Sequence, residues 1–267
     1  MFSFDSLLQN KKHPLVMGIL NVTPDSFSDG GEAFSVDTVI SKVNMLCDEG
    51  ADIIDVGACS TAPNNELVSE EEEIRRLKVF LPLVVEYSKV PVSIDTFRPI
   101  VAEYALSQGV SVINDESGQF NIGMAELVKT YKCGWIFMHT GNKNSREVAV
   151  YKNGVTEDVL SFFADMKSKA IKFGIDPRRI SYDCGIGFGK SREDDIELLA
   201  NCDVLSQYSP LLIGASRKRV VGELTGESDP AKRVAGSVAI AKIVSQDGAD
   251  VLRVHDVRET LEAIMTK

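Results

Sequence analysis

Eight short apolar runs, each followed by a stretch with helical spacing of apolar residues, constrain this sequence more than any other feature. They fall at residues 16–22, 52–58, 92–95, 111–115, 134–139, 180–183, 211–214 and 251–254. Runs of this length bounded by turn formers read as buried strands, and the longer 3.6-period stretches between them read as helices. Strand and helix alternating eight times predict an α/β fold, a single (β/α)₈ TIM barrel. The chain has 267 residues, close to the length of about 250 typical of such barrels. Without an internal repeat or a Pro/Ser-rich linker, residues 1–267 read as one barrel domain. The alternative is an open doubly wound sheet, for which eight regular units are many.

Local helix signals agree. Ser69 followed by Glu72 predicts a capping box, and Ile74, Leu77, Leu81, Val84 and Val85 form the apolar stripe behind it, with a kink expected at Pro82. Thr156 opens a stretch in which Val159, Phe162, Phe163, Met166 and Ile171 share a face, and Ser191 with Asp194 caps the next.

The formal charge of −10 argues against nucleic acid, whose phosphates call for clustered Lys and Arg. Five cysteines, Cys47, Cys59, Cys133, Cys184 and Cys202, are scattered without a Cys-x-x-Cys pair, which fits a reducing compartment and offers no zinc site. The first twelve residues carry no signal-peptide core and no later run approaches a membrane span, so the expectation is a cytoplasmic protein with no membrane partner.

In such a barrel the active site lies at the C-terminal ends of the strands. Read in order, those ends carry Asn21, residues 57–61, Asp95, Asn114 with Asp115, Met138 with His139, Asp183, residues 216–218, and Arg253 with His255. Two groups stand out. Arg253, His255, Ser216, Arg217 and Lys218 have anion-binding character and follow strands seven and eight, where barrels often hold phosphate. A salt-bridged rim is the alternative. Asp95, Asn114 and Asp183 project polar groups into a dry mouth, where a carboxylate needs donors; a flat heterocycle with an amino group beside a ring N–H would supply a pair of them. Pairing of Asp95 and Asp183 with Lys218 or Arg253 is the alternative there. The run 185–191 looks like a phosphate-binding P-loop but fails its pattern, because Cys184 occupies the first glycine position. Its glycines permit a tight turn over a bound ring, with Phe188 as an apolar wall.

With these residues in view, the chain resembles the dihydropteroate synthase family from about residue 15 to residue 265. The motifs that carry the resemblance are residues 17–31, 54–57 with Ser60 and Thr61, 93–96, 113–115, Asp183 with 185–190, 216–218 and 253–257. The resemblance implies an alkyl-transferring enzyme of folate biosynthesis, a target of sulfonamides. It would condense 6-hydroxymethyl-7,8-dihydropterin diphosphate with 4-aminobenzoate, releasing diphosphate and 7,8-dihydropteroate. It further implies that Asp95, Asn114, Asp183 and Lys218 hold the pterin. Asn21, Arg253 and His255 would bind the diphosphate, with Mg²⁺ near Asn21. Thr61, Pro63, Phe188 and Ser216 would border the aminobenzoate pocket. Asp95, Lys218, Arg253 and His255 carry the catalytic roles in this reading, and a homodimer is the usual assembly.

Three departures accompany the resemblance. Ala62 stands where the family has an arginine, Cys184 where it has a proline, and residues 138–141 differ from its usual run after the fifth strand. Arg75, Arg76, Arg217 and Arg219 are candidates to replace the lost cation. Two other functions compete: a non-catalytic pterin-binding paralogue, suggested by Ala62, and a methyltetrahydrofolate-binding methyltransferase domain.

Overall fold

The computed structural model describes residues 2–22, 36–58, 68–141 and 148–266. Eight parallel strands close in chain order: β1 (Leu15–Asn21), β2 (Ile53–Gly57), β3 (Val92–Asp95), β4 (Val112–Asp115), β5 (Gly134–Met138), β6 (Ile180–Asp183), β7 (Leu211–Ile213) and β8 (Val251–Val254). Pairing of Leu15 with Val251 and of Met17 with Arg253 shuts the circle and excludes the open sheet. Every expected strand is present, each end within one residue of its predicted position.

Strand pleating divides the apolar residues into two cores, because successive side chains point to opposite faces. Leu15, Met17, Ile53, Val112, Ile136, Leu212 and Val251 point inward and pack with Phe4. Their chain neighbours Val16, Ile54, Ile113, Trp135, Leu211 and Leu252 point outward into the larger shell beneath the helices. The inward core lies near the N-terminal ends of the strands, and the helix Phe4–Leu8 closes that end. Full burial of Phe4 contributes about 2 kcal/mol. Gly134 is required here: a Cβ on it would lie 2.7 Å from the ring of Phe2, which packs edge-on against Phe4. Lys11 pairs with buried Asp52, whose Oδ2 accepts the Val16 N–H at 2.8 Å.

On five of the eight inward faces a charged or amide side chain stands two residues further along. Ile53 gives way to Asp55, Ser93 to Asp95, Val112 to Asn114, Ser181 to Asp183 and Val251 to Arg253. The interior therefore passes from an apolar floor to a polar mouth, the arrangement expected of a barrel that works at its C-terminal end.

The helix readings need two corrections, at the first capping box and in the helix Val155–Phe173. Ser69 caps Glu70–Tyr87 by accepting the Glu72 N–H, but the Glu72 carboxylate is taken by Arg75 and Arg76, so half of the expected box is made. That helix also runs past Pro82 to Tyr87, burying Phe80 beside Leu77, Leu81 and Val84, while Ile74 and Val85 are half-buried. In Val155–Phe173 the cap is Gly154, not Thr156; Ala170 takes the inner position and Ile171 is half exposed. The Ser191–Asp194 box is complete in both directions. Among the described residues no helix is long and apolar enough to cross a membrane, and Cys47, Cys133, Cys184 and Cys202 are free thiols.

Candidate active site

The centre of the mouth is an ion cluster. Arg253 donates through Nε to Asp55 Oδ2 at 2.7 Å and through one Nη to Asp95 Oδ2 at 2.8 Å. Burial opposes its charge, but Asp55 and Asp95 outweigh that and hold it firmly protonated. Asn114 Nδ2 donates to the same Asp55 oxygen at 3.1 Å. Burial, then repulsion from Glu116, raises the Asp95 carboxyl well above the ordinary range, with Arg253 acting against both. Four carboxylates, Asp55, Asp95, Glu116 and Asp183, thus face Arg253 and Lys218. Asp55 Oδ1, Asp95 Oδ1 and Asn114 Oδ1 are buried acceptors without a hydrogen-bond donor among the described residues. Such acceptors are costly in a dry site unless a ligand or water supplies N–H or O–H groups.

Across the mouth, Asp183 Oδ1 accepts the Gly185 N–H at 2.7 Å. Burial raises its carboxyl and Lys218 counters. Lys218 donates to Ile186 O at 2.7 Å and its Nζ lies 4.6 Å from the centre of the Phe188 ring. Burial lowers its ammonium pKa, against the pull of Asp183. The loop carrying Phe188 is fastened from behind: buried Lys190 donates to the carbonyls of His139, Gly185 and Phe188, and Asp195 accepts the Gly187 N–H. Gly185 has φ 68°, and a Cβ there would strike the His139 carbonyl. This turn therefore demands glycine.

After β7, Arg217 sits at φ 58°, a left-handed conformation that costs a non-glycine residue about 1 kcal/mol. Ser237 Oγ accepts its N–H, and Arg233 donates to its carbonyl and to that of Lys218. The turn thereby delivers Ser216 and Lys218 to one cavity of about 430 Å³, lined also by Ile19, Arg253, His255 and Pro230. Ser216 Oγ accepts the His255 backbone N–H and lies 3.1 Å from His255 Nδ1. The hydroxyl and Nδ1 share one further hydrogen bond, in which the donor is set by the tautomer of the ring. Burial and Arg253 push the imidazole down to about 4, so His255 offers a neutral N–H at neutral pH rather than the positive charge expected of an anion-binding group.

Of the expected residues, the structure brings Asp95, Asn114, Asp183, Phe188, Ser216, Lys218, Arg253 and His255 together, with exposed Asn21 at the end of β1 beside Gly57. Thr61 and Pro63, with Ala62, and the segment 23–31 lie outside the described residues. Two members of the strand-end ring face the other way. Asp115 accepts Trp135 Nε1 at 3.1 Å in the outer shell, where burial lifts its carboxyl to about 6. His139 Nε2 meets Asp158 at 3.0 Å and its ring packs edge-on against Phe162. Pleat parity sends both outward, since the preceding residues Asn114 and Met138 point in. Asp55, Glu116, Lys190 and Arg233 were not foreseen; inward parity in β2 marks Asp55. Of the candidate replacement cations, Arg75 and Arg76 are paired with Glu72, Arg217 is paired with Asp256, and Arg219 is exposed at the start of the helix Arg219–Thr225.

A parallel barrel with a donor-seeking carboxylate and amide cluster beside an Arg/His/Ser wall suits an enzyme that takes a flat, N–H-bearing heterocycle next to an anionic group. Residues 17–255 match the model of the family described as pterin binding enzyme. The dihydropteroate synthase of Clostridium beijerinckii is 40% identical over 251 residues, covering 93% of this chain and 91% of that protein. Dihydropteroate synthase of Xanthomonas albilineans with 4-aminobenzoic acid superposes with a TM-score of 0.88 at 40% identity, covering 95% of this chain and 91% of that one. The same enzyme in complex with 7,8-dihydropteroate gives 0.84 at 40% identity, covering 95% and 92%. The chain belongs to the dihydropteroate synthase family.

Proposed function

We propose that the barrel mouth condenses 6-hydroxymethyl-7,8-dihydropterin diphosphate with 4-aminobenzoate, giving 7,8-dihydropteroate and diphosphate. The observation that carries this reading is the set of buried, donor-seeking oxygens on Asp95 and Asn114, with Asp183 opposite, next to the Arg253, His255 and Ser216 wall. Asp95, Asn114 and Asp183 accept the ring N–H and amino donors of the pterin, and Lys218 donates to its acceptor side. Arg253 and His255 hold the diphosphate. Ser216, Phe188, Thr61 and Pro63 border the aminobenzoate.

As the carbon–oxygen bond to diphosphate breaks, its electron pair leaves with the diphosphate oxygen and positive charge spreads over the pterin and its methylene. The excess of carboxylates over cations in the mouth favours that charge. In the free site burial and Glu116 raise the proton affinity of Asp95; a cationic pterin beside it acts the other way and favours the ionised form as charge develops. The amine nitrogen of aminobenzoate then forms the new carbon–nitrogen bond and gives up one proton, which leaves with the diphosphate or to water at the open mouth. Positioning suffices for this weakly basic nucleophile.

Asn21 would hold Mg²⁺. Its amide oxygen is a hard donor at the mouth, and among the described residues no cluster of three His, Cys, Asp or Glu could form an all-protein cage. That suits an ion bound through one protein oxygen and substrate phosphates, where it would offset charge on the departing diphosphate. The reading extends to a cytoplasmic homodimer; four free thiols support the reducing compartment. Diphosphate release from purified protein with pterin diphosphate, aminobenzoate and Mg²⁺ tests the reading. Release that depends on aminobenzoate is expected, and pterin binding without release overturns the catalytic assignment.

A further inference from the structure

Asp55 has no solvent exposure and sits in mid-strand below the groups assigned to substrate. One of its oxygens, Oδ2, serves two donors: Arg253 Nε at 2.7 Å and Asn114 Nδ2 at 3.1 Å. Those donors belong to the two halves of pterin diphosphate. We propose that Asp55 is a positioning residue that sets both halves of this subsite at once, an inference that rests on the function proposed above.

The argument from chemistry is directional. A carboxylate only accepts, whereas an asparagine amide can present either its oxygen or its NH₂. Facing Asp55, the amide must turn its NH₂ down, so Oδ1 is left for the ligand, and that atom has no donor among the described residues. The pterin side is thereby fixed as an acceptor of ring and amino protons. Arg253 is likewise held in the plane between Asp55 and Asp95, with bonds of 2.7 and 2.8 Å, so its unspent donors are fixed before diphosphate arrives. Charge-assisted bonds of this kind are about twice as strong as neutral ones. The next inward residue of β2 is Gly57, where a Cβ would come within 3.3 Å of Asn21 Oδ1 and 3.8 Å of Asp95. The space above Asp55 is therefore kept clear of side chain.

Asp55→Asn preserves shape but removes the charge and the one-way acceptor. Its kcat/KM for pterin diphosphate should fall about thirtyfold, and affinity for 6-hydroxymethylpterin and for inorganic diphosphate, each measured by calorimetry, should fall about tenfold. KM for 4-aminobenzoate should stay within about twofold. In a double-mutant cycle read on affinity for inorganic diphosphate, Asp55→Asn should cost less than about threefold in an Arg253→Lys background, because on that half it acts through Arg253. Circular dichroism checks folding, and Asp55→Ser replaces the asparagine variant if that does not fold. Unchanged probe affinities, an equal loss toward aminobenzoate, or full additivity in the cycle would overturn the proposal. The wild-type protein separates the two readings: if it neither releases diphosphate nor binds the pterin, the proposed function fails and takes this inference with it. If wild type is active and Asp55→Asn matches it, the positioning role alone fails.

Discussion

Lys190 and Lys218 are buried ammonium groups that grip the same loop, residues 185–189, from opposite sides, and they differ in what they have left to give. Lys190 spends its three donors on three backbone carbonyls at 2.9 to 3.2 Å. Lys218 spends one on Ile186 O and faces Asp183 and the cavity with the rest. The arginines repeat the contrast. Arg233 is committed to the carbonyls of Arg217, Lys218, Glu227 and Ser228, while Arg253 meets two side chains that are themselves part of the site. A buried cation saturated by backbone builds the loop; one with donors to spare awaits an acceptor.

The largest effect that could break this comparison is in Lys190→Met. It strands three carbonyls and should cost on the order of 3 kcal/mol of stability in urea unfolding; a loss under about 1 kcal/mol would put Lys190 outside the fold's support. Lys218→Met should instead lower kcat/KM for pterin diphosphate about a hundredfold while leaving the melting temperature within a few degrees. An equal drop in melting temperature for both variants would erase the distinction.

Acid pH offers a third probe. His255 is held down at about 4 by burial and Arg253, below its unfolded value of about 6.5, so the folded state binds fewer protons between those pH values. The contribution of His255 is then complete above about pH 6.5 and is lost, by about 3 kcal/mol, as pH drops to 4; His255→Gln should remove that part of the slope and leave the like part due to His139, which burial also holds down at about 4. Asp183→Asn, which can no longer accept from two ring donors, should weaken pterin binding about tenfold by calorimetry, and unchanged affinity would remove Asp183 from the pterin set. The smallest effect belongs to Ala62→Arg. It restores the cation the family resemblance expects and should tighten diphosphate-side affinity about threefold; no change would mean that existing cations suffice.

The barrel was legible because each strand is a short apolar run between turn formers, and the mouth because polar residues end those runs. Strand ends alone do not give direction, which is why Asp115 and His139 joined the ring on paper while the pleat turns them into the helix layer. Carrying the alternation up from Val112 or Ile136 would have separated them from Asn114 and Met138. Asp55 was hidden in the run Ile-Ile-Asp-Val, where a lone carboxylate looks like an interruption rather than a keystone. Lys190 and Arg233 leave no such trace. Their partners are carbonyls brought near by loop closure, and a backbone acceptor has no letter in the sequence.

The apolar floor under the site has a kinetic meaning. Phe4 and the inward ring of Leu15, Met17, Ile53 and Val251 stop the lower end of the barrel, so the site is a blind vessel filled from the top. An electrophilic methylene formed in it meets whichever nucleophile enters by the same opening through which diphosphate must leave. The partition between productive capture and wasteful hydrolysis is therefore decided by traffic at the rim, and the floor sets that contest by leaving water no second door.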